Sequence, residues 1–169
     1  MDKSFLPNYY FKTIFDINFH KFSSYDVIAF DYDNTLAPWN KTLSPETINL
    51  LKKLSKNFKL YIFTNGSLNR VEANLKMIDI KCYGLCLKPF TKKIKQIVEL
   101  KRINVKRSLF IGDNVLTDIW TANRIGFTTV LVEPQTKKEH FLTTIWRFLE
   151  KIFRLRRKAI LKAKVLNHN

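Results

Sequence analysis

The sequence predicts an α/β fold, a Rossmann-like doubly wound parallel sheet of five strands with helices on both faces. Three observations carry that expectation. Short apolar runs alternate with segments of helical spacing from Asp26 to Pro134. Most of the intervening segments are long enough to hold a crossover helix, as parallel neighbours require. Polar and charged residues follow the apolar runs directly, where such a sheet has its carboxyl edge and binds its ligands.

Taken in order, Val27-Ile28-Ala29-Phe30 is the first strand. Ser44 then serves as an N-cap with Pro45 at N1, opening a helix whose buried stripe is Ile48, Leu51 and Leu54. Lys59 to Phe63 is the second strand, and Thr64-Asn65-Gly66-Ser67 turns into a helix with Leu68, Val71, Leu75 and Ile78 at helical spacing. Cys82 to Leu87 reads as the third strand, and Pro89 opens a helix carrying Ile94, Ile97 and Val98. Ser108 to Ile111 is the fourth strand, ending at Gly112-Asp113. Thr117 to Arg124 is a helix closed by Gly126, and Thr129 to Val132 is the fifth strand, stopped by Pro134.

Three regions follow from this reading. Residues 1–24 are aromatic-rich, and their spacing suits a short helix packed on the core or a membrane contact. Residues 25–136 form the core, and residues 137–169 form a basic amphipathic helix and tail. A chain of 169 residues buries roughly two thirds of its unfolded surface, enough to fold without a staple. Cys82 and Cys86, four apart in an extended segment, would be about 13 Å apart and cannot bridge. With no His or further Cys beside them, they read as reduced core thiols.

Lys and Arg number 30 against 14 Asp and Glu, a net charge of +16 that favours an anionic partner. From Lys137 onward there are ten basic residues and two Glu, so half of that charge lies in the tail. If His140 to Lys164 is one helix, Phe141, Leu142, Ile145, Trp146, Phe148, Leu149, Ile152, Phe153 and Leu155 cover about half its circumference. Basic residues fill the other half, a pattern suited to an anionic lipid surface or to docking on the core with a solvated basic face. No signal-peptide pattern opens the sequence, and no apolar run approaches the ~20 residues of a membrane span. The expectation is a cytoplasmic protein, peripheral at most on the inner face of a membrane.

The chemistry gathers at the expected strand ends. Asp31 and Asp33 follow the first strand, Thr64 and Asn65 the second, Lys88 the third, and Asp113, Asn114 and Asp118 the fourth. Carboxylates ending a buried strand are costly unless a cation, a hydrogen-bond network or chemistry compensates them. Several carboxylates, an ammonium, a hydroxyl and turn amides form the inventory that holds Mg²⁺ beside a phosphoryl group. Lys88 can offset phosphate charge, while Thr64 with the amides of Asn65 and Gly66 can donate to its oxygens. Each residue alone has a plainer reading: Asp113 and Asp118 as acids near a helix start, Thr64 as a turn hydroxyl, Lys88 and Arg70 as solvated side chains.

The ordered set Asp31-Tyr32-Asp33-Asn34-Thr35, Thr64, Lys88 and Gly112-Asp113 with Asp118 resembles the four motifs of the haloacid dehalogenase superfamily. Leu6-Pro7, Asp33-Asn34-Thr35-Leu36, Asn69-Arg70-Val71, Lys88-Pro89, Gly112-Asp113-Asn114 and Thr117-Asp118, with Thr144, Arg147 and Glu150, resemble its YqeG-type branch, related to mitochondrial phosphatidylglycerophosphate phosphatases. The resemblance implies that Asp31 is a nucleophile forming an aspartyl-phosphate and that Asp33 is the general acid and base. It also implies Mg²⁺ held by Asp31, Asp113 and the carbonyl of Asp33, with Asn114 or Asp118 in direct or water-mediated contact. Arg70 would reach the substrate. The spacings leave no room for the cap domain that encloses small substrates, so an open cleft suits a large one. A lipid phosphate is the reading the tail favours, with nucleic-acid or protein phosphates, or a non-catalytic RNA-binding module, as alternatives.

Overall fold

The structure is a computed structural model and describes residues 3–68, 71, 75, 78–136 and 160–161. Six strands form one parallel sheet: β1 (Tyr9–Tyr10), β2 (Val27–Phe30), β3 (Lys59–Phe63), β4 (Ile80–Tyr83), β5 (Ser108–Gly112) and β6 (Thr128–Leu131). The described helices are α1 (Pro45–Leu54), α2 (Lys92–Leu100) and α3 (Trp120–Ile125). Spatial order is β1-β6-β5-β2-β3-β4, so the chain leaves β2 toward β3 and returns on its other side at β5. The crevice beyond the carboxyl ends of β2 and β5 is therefore the switch point where ligands of such sheets bind.

Alternation along β2 sorts the core into two layers, as the two-residue period of a strand requires. Ile28 and Phe30 join Leu60, Ile62, Leu109 and Ile111 on the face covered by Leu51 and Leu54 of α1. Val27 and Ala29 face the other way, with Tyr61, Phe63 and Phe110, under Ile94 and Ile97 of α2 and Ala122 of α3. Ser44 Oγ accepts the Thr47 N–H at 3.2 Å, and Pro45 occupies the first turn of α1. Gly126 closes α3 at φ +108°, the left-handed cap expected of it.

The sheet has six strands, not five. The added strand, β1, lies in the N-terminal region, which forms three short 3₁₀ turns instead of a helix. Tyr9 and Tyr10 pair with Val130 and Leu131 of β6, and Thr129 donates to Asn8 Oδ1 from both its N–H (2.8 Å) and its hydroxyl (3.1 Å). Asn123 Nδ2 holds the carbonyls of Ser4 and Leu6. Ile14, Ile17 and Phe22 enter the main core, so this segment packs as an integral layer.

Other boundaries also shift. Strand β4 ends at Tyr83, leaving Cys86 in a loop and buried, with its thiol pushed up to about 11 chiefly by burial. Helix α2 begins only at Lys92, beyond Pro89. The helix expected over Thr117–Arg124 is a five-residue π-turn (Val115–Ile119) that runs into α3. Leu68 is half-buried and Val71, Leu75 and Ile78 are buried, while the residues between them at 69–70, 72–74 and 76–77 and most of the amphipathic tail lie outside the described residues. No helix among the described residues is long and apolar enough to cross a membrane.

Candidate active site

Asp31 follows β2 and Asp113 follows β5, and the Asp31 N–H still donates to the Ile111 carbonyl at 2.9 Å. Adjacent parallel strands thus deliver both carboxylates to one crevice. Asp118 joins them: carboxylate oxygens of Asp31, Asp113 and Asp118 all lie within 4.8 Å of one another, and all three residues are buried. Lys88 Nζ donates to Asp31 Oδ1 and Asp118 Oδ1, each at 2.6 Å, with its side chain 1% exposed. The Thr35 hydroxyl donates to Asp113 Oδ1 at 3.3 Å.

Three buried carboxylates around one ammonium leave a formal charge of −2. Burial holds the Asp31 carboxyl well above its usual range; Lys88 opposes this, and Asp118 and Asp113 reinforce it. Burial works against the charged form of Lys88 as well, yet Asp118 and Asp31 outweigh it and keep the ammonium firmly protonated.

The backbone around Asp118 explains its aim. Asn114 Oδ1 accepts the N–H groups of Leu116 (2.9 Å) and Thr117 (3.1 Å), and the Asn114 N–H donates to Asp118 Oδ2 at 3.0 Å. The wide π-turn brings Asp118 back over β5, against Gly112. A Cβ at Gly112 would sit 2.5 Å from Asp118 Cβ, so no larger residue leaves room for the carboxylate. The two donors to Asn114 Oδ1 fix its carboxamide as a cap. Its Nδ2 is buried with no hydrogen-bond partner among the described residues, a donor calling for a further oxygen.

Lys88 is positioned through its backbone. Asn65 Oδ1 accepts the Lys88 N–H at 2.8 Å, and Asn65 Nδ2 donates to the Lys88 carbonyl at 2.9 Å. The Asn65 carboxamide thus clamps the backbone of the lysine in place. A Cβ at Gly84 would lie 2.8 Å from the Gly66 carbonyl, so glycine there lets the two loops close together. Thr64 is buried, and its hydroxyl accepts the Gly66 N–H at 3.0 Å, which leaves the hydroxyl proton to donate. Asp33 is half-buried, its Oδ1 accepting the Asn40 N–H at 3.0 Å, and its carboxylate stands outside the triad. Arg70 lies outside the described residues.

Asn34 is a residue the motif reading left without a task. At φ 65° it takes the left-handed conformation that asparagine tolerates, and its Oδ1 accepts from Trp39 N–H (3.2 Å), Thr136 N–H (3.1 Å) and the Thr136 hydroxyl (2.8 Å). It ties the Asp31–Thr35 loop to the segment after β6. Gln135 Nε2, donating to the Thr35 carbonyl at 2.8 Å, adds a second tie.

The donor set fits a hard divalent cation. All three acidic groups offer oxygen, their formal charge exceeds that of Lys88, and the raised thiol of Cys86 supplies no thiolate to favour a softer metal. Asp31, Asp113 and Asp118 would hold Mg²⁺.

Two sequence families match the chain: one described as haloacid dehalogenase-like hydrolase over residues 28–88, the other as HAD-hydrolase-like over residues 85–144. Among solved structures, the fold resembles an uncharacterized protein from Listeria monocytogenes serotype 4b, with a TM-score of 0.53 and 16% identity over 78% of this chain and 99% of that one. A predicted HAD-like family hydrolase from Porphyromonas gingivalis gives a TM-score of 0.54 and 14% identity over 75% and 98%. The probable phosphatase YqeG of Bacillus subtilis (strain 168) is 30% identical over 155 residues, covering 89% of this chain and 90% of that protein. The two family matches and a relative of 30% identity over nearly the whole length, with the carboxylate cluster at the switch point, lead to one assignment: the chain belongs to the haloacid dehalogenase-like hydrolases.

Proposed function

We propose that this hydrolase is a Mg²⁺-dependent phosphatase that cleaves phosphomonoesters through an aspartyl-phosphate and acts on a lipid phosphate, phosphatidylglycerophosphate or a close analogue, at a membrane surface. The observation that carries the phosphatase reading is the buried group of Asp31, Asp113 and Asp118 with a single ammonium, Lys88, among them. A site with surplus negative charge has no use in folding and suits a dication and a phosphoryl group.

Asp31 attacks phosphorus in line through a carboxylate oxygen. A P–O bond forms to Asp31 as the ester P–O bond breaks, and Asp33 gives its proton to the departing oxygen. Asp33, now ionised, takes a proton from water, whose oxygen attacks phosphorus and displaces Asp31, releasing orthophosphate. Lys88 opposes the burial that favours the neutral Asp31 carboxyl and aims its oxygen, and the third N–H of the ammonium remains for a phosphoryl oxygen beside the Thr64 hydroxyl. Mg²⁺, when bound, neutralises the charge that phosphoryl transfer concentrates there.

The lipid reading rests on the absence of a separate cap among the described residues, on the +16 charge, and on the basic amphipathic pattern of the tail sequence. Purified full-length chain with Mg²⁺ should release orthophosphate from p-nitrophenyl phosphate and, faster, from phosphatidylglycerophosphate in vesicles. Asp31→Asn should abolish both. Release from a 5′-phosphorylated oligonucleotide but not from the lipid would replace the lipid reading with the nucleic-acid one. No release from any of the three by folded protein would end the phosphatase proposal.

A further inference from the structure

The loop between β4 and α2 delivers Lys88 to the site, and it also shows three large apolar side chains to solvent. Leu85 is 59% exposed, Leu87 62% and Phe90 69%. Cys86, Lys88 and Pro89 between them are buried, so the loop alternates inward groups with outward groups that are mostly exposed to solvent. The Phe90 N–H donates to the Leu87 carbonyl at 2.8 Å, closing a turn that brings those two residues together. Leu85 stands at φ 50° and Leu87 at φ 56°, a conformation that bulky side chains avoid. The backbone is held there by bonds from Leu85 N–H to the Gly66 carbonyl and from Cys86 N–H to the Thr64 carbonyl, both 3.0 Å.

The charge along this stretch of sequence has one sign. Between Asp79 and Glu99 the sequence contains no carboxylate and five lysines: Lys81, Lys88, Lys92, Lys93 and Lys95. Lys88 is consumed by the site, but Lys92 and Lys95 are exposed at the start of α2. Lys93 Nζ donates to the Gly84 (2.6 Å) and Leu85 (3.2 Å) carbonyls, and Arg124 donates to the Pro89 carbonyl, so two cations are fixed to the base of the loop itself. An apolar tip flanked by lysines, in a stretch of sequence with no carboxylate of its own, complements an anionic bilayer, where leucine and phenylalanine enter the acyl boundary and lysine meets the headgroups. A nucleic-acid strand would reward the charge but leave the leucines without a partner, since its contacts are stacking and phosphate.

We infer that Leu85, Leu87 and Phe90 form a docking tip that inserts into an anionic lipid surface and sets the mouth of the active site against the headgroup layer. The inference rests on the lipid-phosphate reading for its purpose, though the docking itself is measurable apart from catalysis. Because the tip and Lys88 share one loop, insertion would orient the site toward a headgroup phosphate without any movement of the catalytic residues.

The test is co-sedimentation of the full-length chain with vesicles of phosphatidylcholine alone or mixed with phosphatidylglycerol. The variant is Leu85→Asn, Leu87→Asn and Phe90→Ser together, because asparagine keeps the left-handed backbone while removing the apolar surface. The unmodified chain should bind the anionic vesicles, and the variant should bind at least tenfold more weakly while turning over p-nitrophenyl phosphate at the unmodified rate. Lys92→Glu with Lys95→Glu should also weaken binding, and added salt should have less effect on this variant than on the parent. Equal vesicle binding by parent and triple variant would overturn the docking tip even if the lipid were hydrolysed. Loss of p-nitrophenyl phosphate turnover in the folded triple variant, or loss of oligonucleotide binding in place of vesicle binding, would overturn it too. If the tip governs vesicle binding but no lipid phosphate is hydrolysed, the docking stands and the substrate reading falls.

Discussion

Strands β2 and β5 carry charge at both of their ends, and the two ends treat it in opposite ways. Before the strands, Asp26 meets Arg107 in a two-point bond of 2.7 and 2.8 Å, with both side chains about half exposed at 52% and 53%. After them, Asp31 and Asp113, with Asp118, are buried around Lys88. The first arrangement is matched in charge and open to water, which makes it cheap to form and of small worth. The second is unmatched and dry, and burying such ions costs several kcal/mol each before their attractions are counted. A sheet shaped only for stability would not put its surplus of carboxylates at the dry end. The difference marks the carboxyl edge as the end at which stability is given up for reactivity.

The comparison can be broken most directly at Lys88. Lys88→Met leaves the three carboxylates with no ammonium, and we expect a loss of about 3–5 kcal/mol in urea unfolding without metal, partly restored by Mg²⁺. An unchanged midpoint would mean that the buried end is not under electrostatic load. Gly112→Ala forces the Asp118 carboxylate aside, and phosphatase turnover should fall by about a hundredfold while circular dichroism stays as it was. Asn34→Ala removes three hydrogen bonds and puts at φ 65° a residue without asparagine's tolerance of that conformation, with an expected cost of about 2 kcal/mol. Asn34→Gly should recover the part due to φ alone, and equal losses in the two variants would assign the whole effect to the bonds.

The smallest effect belongs to the exposed end. The hydrogen bond from Arg107 holds the Asp26 carboxyl below its ordinary value of 3.8. A carboxyl depressed in the folded state stabilises above the unfolded value, and the contribution disappears as pH falls through the folded one. Arg107→Ala should therefore lower the melting temperature slightly at neutral pH. That gap should close as the pH drops below 3.8, and a gap that widened in acid would reverse the assignment.

Much of this was legible in the residues. Strand positions followed from apolar runs bounded by turn residues, and the caps at Ser44 and Gly126 from residue types with one strong use. Asp31, Lys88, Asp113 and Asp118, which the structure gathers in one crevice, stand out in the sequence because they break the pattern of the buried runs they follow. Three things escaped. A two-residue strand such as β1 is too short to carry a period, and only its partner β6 makes it a strand. The π-turn at Val115–Ile119 has a helix-like composition, and its extra width comes from the Asn114 cap and the space over Gly112. Leu85 and Leu87 contradict their own backbone preferences, so local propensity argued against the conformation that they adopt.

The pairing of Tyr9 and Tyr10 on β6 also bears on how the protein behaves in company. With Asn8 and Phe11 bonded to the carbonyls of Thr129 and Leu131, the main-chain groups on that side of β6 are already taken. Cutting the chain after Lys12 would bare them. The sheet would then end in a row of open donors and acceptors beside Val130 and Leu131, a template on which a second molecule can add its own strand. The first dozen residues are thus a guard against polymerisation, and a shortened chain should betray their loss by light scattering before it loses any helix.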